Sequence, residues 1–181
     1  MFQYIYSKED QLLIEKAVTF LVDNFNRSGN NSKPVILHSL RVGMRLYEYG
    51  EKTTLIIGAL LHDLIEDTKV TSIDISKSFG EEVAQLVEAN TFNDQISDYA
   101  ERYVNSFERS IAYSRDAALI RALDILDNSD YYALGSPNTF VNLYSKYRKF
   151  VEMSHDLLSE SFIWKELIDK QEILKIQLGI K

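Results

Sequence analysis

The stretch LIIGALLHDLIED, residues 55–67, decides how this chain is read. From Leu55 to Leu61 it carries no charged or polar side chain, only Gly58 breaking the apolar run. A helix that is apolar all round belongs in the middle of a core. The same helix then presents His62, Asp63, Glu66 and Asp67. His62 and Glu66 are one turn apart, as are Asp63 and Asp67, so each pair shares a face. His62 and Asp63 differ by about 100° around the axis, and both reach a cation lying between helices. Four such groups are costly to bury without partners. Either this end meets solvent, or a metal and the groups themselves satisfy one another. Acids at a helix C-terminus also oppose the macrodipole, which weakens the reading of Glu66 and Asp67 as a plain solvated end.

Two other apolar helices repeat the anomaly. His38 sits between Leu37 and Leu40, and Asp124 interrupts LIRALDILDNS (119–129), with Asn128 on the same face one turn later. A carboxylate in an apolar helix needs a strong partner, and a cation is the strongest available. Convergence of His38, His62, Asp63 and Asp124 on one divalent ion is the expectation. Each residue also has an ordinary reading: a lone histidine on an amphipathic helix is most often a hydrogen-bonded structural residue. Asp127, Asp130 and His155 read as solvent-facing, and Arg27 as a favourable charge near a helix C-terminus.

Outward from these motifs the chain reads as helix almost throughout. Seven glycines and two prolines punctuate it, and no run alternates with period two. Ser7, with Asp10 three residues on, forms a start signal for a first helix with Leu13, Ala17, Phe20, Leu21 and Phe25 at helical spacing. NRSGNNSKP (26–34) breaks it. A second helix starts near Pro34 and stops at Gly50, and the third starts at Thr53 or Thr54. Ser72 caps a short piece that ends at Phe79-Gly80, and 81–92 comes next. Further helices are predicted near 96–112, 115–132, 139–158 and 161–178. The fold class is all-α: one domain, residues 1–181, of about eight or nine helices.

Composition narrows the function classes. The 181 residues carry a net charge of −7 and no dense Lys/Arg cluster, which argues against duplex nucleic acid as a partner. A small phosphorylated ligand is compatible with that charge if a metal and a few arginines hold it. The absence of cysteine excludes disulfides, thiolate ligands and thiol nucleophiles. No apolar run nears the roughly 18 residues of a membrane span, and the start MFQYIYSKEDQLL does not read as a signal peptide. A cytoplasmic protein is expected, with a homo-oligomer left open.

The ordered pattern of His38, His62-Asp63 and Asp124 resembles the HD-domain superfamily of metal-dependent phosphohydrolases. PVILH (34–38), ALLHDLIEDT (59–68), FGEEVAQLVEANT (79–91) and RALDILDN (121–128) are similar, in order, to landmarks of the hydrolase domain of the RelA/SpoT family. The resemblance covers about residues 10–135, with the helices of 139–178 added. It implies a helical HD-domain bundle and a stand-alone hydrolase that removes pyrophosphate from the 3′ position of (p)ppGpp. It assigns His38, His62, Asp63 and Asp124 to a metal, typically Mn²⁺ in that family, and Glu66 and Asp67 to the attacking water. By the same resemblance Asn128 lies near the sugar and phosphates, and Arg27 and Ser28 fall in a loop that contacts the guanine. The family's D-R-L-H-N is here D-I-L-D-N (124–128), and its valine-threonine-lysine after the FG block is Asn90-Thr91-Phe92. Its tyrosine after the loop proline is Val35, and its proline after the ligand histidine is Ser39.

Two imidazoles and two carboxylates suit Mn²⁺ better than a structural Zn²⁺ site, with Fe²⁺ and Zn²⁺ as the other candidates. Three readings stand side by side: a (p)ppGpp hydrolase, a generic HD phosphohydrolase acting on another nucleotide such as a monophosphate, and a non-catalytic helical binding module.

Overall fold

The computed structural model describes residues 6–29 and 34–180. Among these residues there is no strand, so the all-α expectation holds. The chain divides into two compact units, one ending at Thr91 and one beginning at Phe92. No described helix is long and apolar enough to cross a membrane.

The first unit holds α1 (Lys8–Ser28), α2 (Val35–Glu48), α3 (Thr53–Leu61), the single turn α4 (Leu64–Asp67), α5 (Ser72–Phe79) and α6 (Glu81–Asn90). Helix α3 is its axis. Leu55, Ile56, Ile57, Ala59, Leu60 and Leu61 have no solvent exposure at all, and α1, α2 and α6 pack around them. Burying each such leucine or isoleucine is worth about 1.5–3 kcal/mol. Helix α1 contributes a stripe of Ile14, Ala17, Leu21 and Phe25, while Phe20 meets Phe79 edge-to-face at 5.4 Å.

The helix ends explain the register. Ser7 and Asp10 form a reciprocal capping box at the start of α1. Asp10 also accepts a 2.8 Å hydrogen bond from Thr53 Oγ1, which joins the starts of α1 and α3. These bonds hold the Asp10 carboxyl below the usual range, Ser7 having the larger effect and Thr53 the next. Among the boundaries that differ from the sequence reading are the end of α1 and the start of α5. Helix α1 runs through Arg27 and Ser28 and ends at Gly29, whose φ of 67° suits a residue without Cβ, so the helix outlasts the turn formers. Residues 30–33 of the expected loop lie outside the described residues. The cap of α5 is Thr71, paired with Asp74, one residue before the predicted Ser72, because the reciprocal bond needs an acid three positions on.

The second unit comprises α7 (Tyr99–Tyr113), α8 (Arg115–Ser129), a 3₁₀ turn at Tyr132–Leu134, α9 (Pro137–Leu158) and α10 (Trp164–Gln177). Asp98, Ser114 and Ser136 cap α7, α8 and α9. Helix α8 is buried from Ala117 to Leu126, with α7, α9 and α10 against it. Phe107 meets Phe150 edge-to-face at 5.3 Å, and Tyr147 donates from its hydroxyl to Leu167 O at 2.9 Å, tying α9 to α10.

Helix α2 approaches α3 closely because Gly43 has no side chain. A Cβ built there lies 2.6 Å from Leu60 Cγ and Cδ2. Alanine at this position gains about 1 kcal/mol of helix propensity, but it forces a buried branch point to move, and overpacking costs about 1–3 kcal/mol. We expect Gly43→Ala to lose about 1–2 kcal/mol in urea unfolding. A midpoint equal to or above that of the parent protein would show that Leu60 yields without strain.

Candidate functional site

In the first unit, α2 and α3 bring two imidazoles face to edge. The His38 amide closes the first turn of α2 onto Pro34 O at 3.0 Å, which sets His38 on the buried side. His62 ends α3, and its ring lies 5.1 Å from that of His38 at 64°. The two Nε2 atoms are 3.2 Å apart. Asp63 Oδ1 stands 3.3 Å from His62 Nε2, and Oδ2 stands 3.7 Å from His38 Nε2. Both histidine side chains are at most 5% exposed, and that of Asp63 is 14% exposed.

The backbone explains how neighbouring residues converge. The sequence reading extends the third helix through Asp67, but the structure interrupts it at His62-Asp63. Asp63 has φ −89° and ψ −7°, in the bridge region between regular basins. The chain then resumes as α4, closed by Asp67 N to Asp63 O and Thr68 N to Leu64 O. This local change re-aims Asp63, so a plain 100° step from His62 no longer applies.

A backbone partner sets the tautomer of His62. Ala59 O only accepts, so His62 Nδ1, 2.7 Å away, carries the hydrogen. In the neutral ring Nε2 therefore offers a lone pair toward His38. His38 Nε2 stands 3.2 Å from that nitrogen, so either its own hydrogen or a cation belongs between the two. Two imidazole nitrogens with a carboxylate form a mixed N/O donor set of the kind divalent first-row metals accept, and the first unit therefore fits such an ion.

Glu66 and Asp67 lie on α4, one turn past Asp63, the first exposed and the second half-buried. The turn packs on α1. Arg27 and Ser28 occupy the last turn of α1 and not a loop. Arg27 is 76% exposed and lies 4.0 Å from Asp23, while Ser28 Oγ donates to Phe25 O at 2.9 Å. Ser39, beside His38, is fully buried, and its hydroxyl has no hydrogen-bond partner among the described residues.

In the second unit Asp124 is 7% exposed and held on both oxygens. Arg121 Nη1 donates to Oδ2 at 2.8 Å, and Asn128 Nδ2 donates to Oδ1 at 2.6 Å. Arg121 is itself 5% exposed, with its guanidinium 5.6 Å from the ring centroid of Phe92. A carboxylate so buried needs such partners, since one unpaired charge there costs several kcal/mol. Asn128 therefore orients Asp124, whatever else it touches. Arg121 escaped the sequence reading, although its i,i+3 spacing to Asp124 in R-A-L-D was the available signal. Tyr103 and Tyr132 were also missed. Burial above all, then Tyr99 and the Asp124 charge, raise the Tyr103 phenol, and burial followed by Asp124 raises Tyr132. Of the surface assignments, His155 holds: its side chain is 63% exposed and bonded to Asp156. Asp130 is exposed and pairs with Lys170, whereas Asp127 is half-buried.

A family model described as HD domain matches residues 17–129, a span that includes His38, His62, Asp63 and Asp124. The guanosine-3′,5′-bis(diphosphate) 3′-pyrophosphohydrolase of Aquifex aeolicus (strain VF5) is 36% identical over 118 residues, 64% of this chain and 17% of that protein. The bifunctional (p)ppGpp synthase/hydrolase SpoT of Escherichia coli (strain K12) is 34% identical over 84 residues, 45% of this chain and 12% of that protein. The chain thus spans less than a fifth of the length of these curated relatives. A solved structure of a metazoan ortholog of SpoT that hydrolyses ppGpp has a TM-score of 0.76 at 21% identity, covering 97% of this chain and 99% of that one, a likeness of fold. A protein of Listeria monocytogenes EGD-e has a TM-score of 0.67 at 26% identity, over 78% of this chain and 94% of the other. With more than half of its length matched, and the broken helix of His62-Asp63 inside the match, the chain belongs to the HD-domain family.

Proposed function

We propose that this protein is a metal-dependent phosphohydrolase that removes pyrophosphate from the 3′ position of (p)ppGpp. The observation that carries the reading is the buried pair of imidazoles, 3.2 Å apart with a carboxylate beside them. The named activities of the relatives from Aquifex and Escherichia supply the substrate class. His38, His62 and Asp63 would hold the cation, with Asp124 as fourth ligand and Mn²⁺ as the ion. A divalent cation in such a site supplies Lewis acidity and offsets phosphate charge.

The residues of the chain divide the remaining work. Glu66, exposed at the open end of α4, takes a proton from the attacking water, and Asp67 orients it. Attack at phosphorus breaks the bond to the 3′ oxygen, pyrophosphate leaves, and the proton passes from Glu66 to that oxygen. A positioned base of this kind contributes about 10²- to 10⁴-fold. Arg121 and Asn128 are positioning residues that act through Asp124. Arg27 and Ser28, closing α1, are assigned to the guanine side. The substrate is a cytoplasmic nucleotide, and neither duplex nucleic acid nor a membrane is a partner in this reading.

The bond from Asn128 to Asp124 favours one second reading, an HD phosphohydrolase for another nucleotide, because it leaves that amide less available to a sugar or phosphate. Released products separate the two. Mn²⁺-loaded protein should liberate pyrophosphate from ppGpp, and EDTA should abolish the reaction. Orthophosphate from a nucleoside monophosphate, with ppGpp untouched, would move the substrate to the second reading.

Three substitutions test the roles. Asp63→Ala should lose bound metal, measured by atomic emission, together with turnover. Glu66→Gln should keep the metal and lose turnover by about 10²- to 10⁴-fold; full activity would remove Glu66 from the proton transfer. Arg121→Met should weaken Mn²⁺ binding by about 10- to 100-fold in calorimetric titration, as loss of a group orienting a ligand does. Arg121→Lys should recover part of that affinity. Unchanged affinity in Arg121→Met would leave Arg121 a purely structural partner of Asp124.

A further inference from the structure

The second unit contains a groove of about 640 Å³ between α7 and α9, and Lys146 of α9 lines it beside two tyrosines of α7. Lys146 Nζ lies 3.7 Å from the ring centroid of Tyr99 and 3.7 Å from that of Tyr103. The two rings stand 4.9 Å apart at 72°, and the Tyr99 hydroxyl donates to that of Tyr103 at 3.2 Å.

Other lysines of this unit show what Lys146 lacks. Lys149 has Glu152 at 3.9 Å, Lys165 donates to Asp169 at 2.7 Å, and Lys170 pairs with Asp130. A carboxylate beside an amine favours the charged form, which has no lone pair to react. Lys146 makes no hydrogen bond and no ion pair among the described residues. Asp98 lines the same groove, but its carboxylate caps α7 by accepting from the Glu101 amide at 2.8 Å. The ring faces favour the ammonium and fix its place. Burial favours the neutral amine and pulls the Lys146 pKa down from 10.5 to about 8. A lysine desolvated in this way is a nucleophile near neutral pH.

The surroundings select the kind of electrophile. Val104, Phe107 and Leu143 give the groove apolar lining beside the amine, room for a short carbon chain. Asn142, one turn before Lys146 on the same face of α9, makes no side-chain hydrogen bond among the described residues. Its amide is a donor for a carbonyl oxygen held there. We propose that Lys146, clamped between Tyr99 and Tyr103, is an acylation site, taking a short acyl group from an activated donor, an acyl phosphate or an acyl thioester. The ammonium first loses a proton to water, and Nζ then attacks the donor's carbonyl carbon. An N–C bond forms. The bond that breaks is C–O in the acyl phosphate or C–S in the thioester, and phosphate or thiolate leaves with the electron pair. A second proton passes from nitrogen to water, and nothing is oxidised or reduced. The amide product is neutral and needs no counter-ion between the rings. This site belongs to the second unit alone and does not depend on the reaction proposed above.

The test treats the full chain at neutral pH with acetyl phosphate and, separately, with acetyl-coenzyme A, and follows acetylation of each lysine by peptide mass spectrometry. Lys146 should be labelled at least about tenfold faster than Lys149. Two or more pKa units supply about 10²-fold more free amine, and the weaker base gives part of that back in nucleophilicity. The donor that produces the excess identifies the source of the acyl group. In guanidinium chloride the excess should vanish, because it belongs to the folded groove. Tyr99→Ser, at a position 59% exposed and so tolerant of change, should lower Lys146 labelling severalfold by admitting water to Nζ. Tyr103→Phe keeps the ring and should retain most of the rate. Labelling of Lys146 no faster than that of Lys149 with either donor would overturn the site. So would an excess that survives unfolding, or a rate indifferent to Tyr99→Ser.

Discussion

The first unit depends on how closely α2 can lie on α3. Gly43 sets that distance, because only a hydrogen faces Leu60 where a methyl would be 2.6 Å from its branch carbon. His38 precedes the contact on α2, and His62 comes after it on α3. The separation of the two Nε2 atoms is therefore a packing distance before it is a chemical one. The apolar length of α3 makes this possible: a rod with no solvent exposure from Leu55 to Leu61 cannot tilt or slide without opening cavities around large buried side chains. His62 and Asp63, at the end of this rod, inherit its rigidity, and their donor atoms stand on a support that packing has already fixed.

The second unit solves a different problem with different means. Asp124 lies in a helix that is buried over most of its length, and its charge is accommodated by an arginine one turn before and an amide one turn after. This three-residue ladder on one helix face makes the orientation of the carboxylate a local property of α8. Tyr103 and Tyr132 become harder to ionise, chiefly through their own burial and in smaller part through the Asp124 charge.

Much of this was legible from residue order alone. An unbroken apolar run ending in His62-Asp63 has few other homes than the centre of a helical unit, and Ser7 with Asp10 signals a helix start through a bond pattern that needs only those two side chains. The break at Asp63 was not legible, since aspartate's mild preference for caps and turns does not by itself stop a helix inside an apolar run. Arg27 holds its expected place near the end of the first helix, while the loop that the resemblance implied for Arg27 and Ser28 is helical. Turn-forming residues after them suggested an earlier end, while Phe25 and Leu21 kept the last turn of α1 anchored in the core. Arg121 looked like one more polar residue on a helix until its burial was known. Lys146 could not be distinguished from the other lysines, because its environment is assembled from Tyr99 and Tyr103 on another helix.

Asp10 gives the first turn of the chain an unexpected reach. Its carboxylate caps α1 and, through Thr53, also fastens the beginning of α3, and the rod that starts there ends at His62. A change at this half-buried residue therefore bears on the helix whose other end is His62. The cap of one helix is thereby also an anchor for the start of another, and distance from the site in sequence is a poor guide to what supports it.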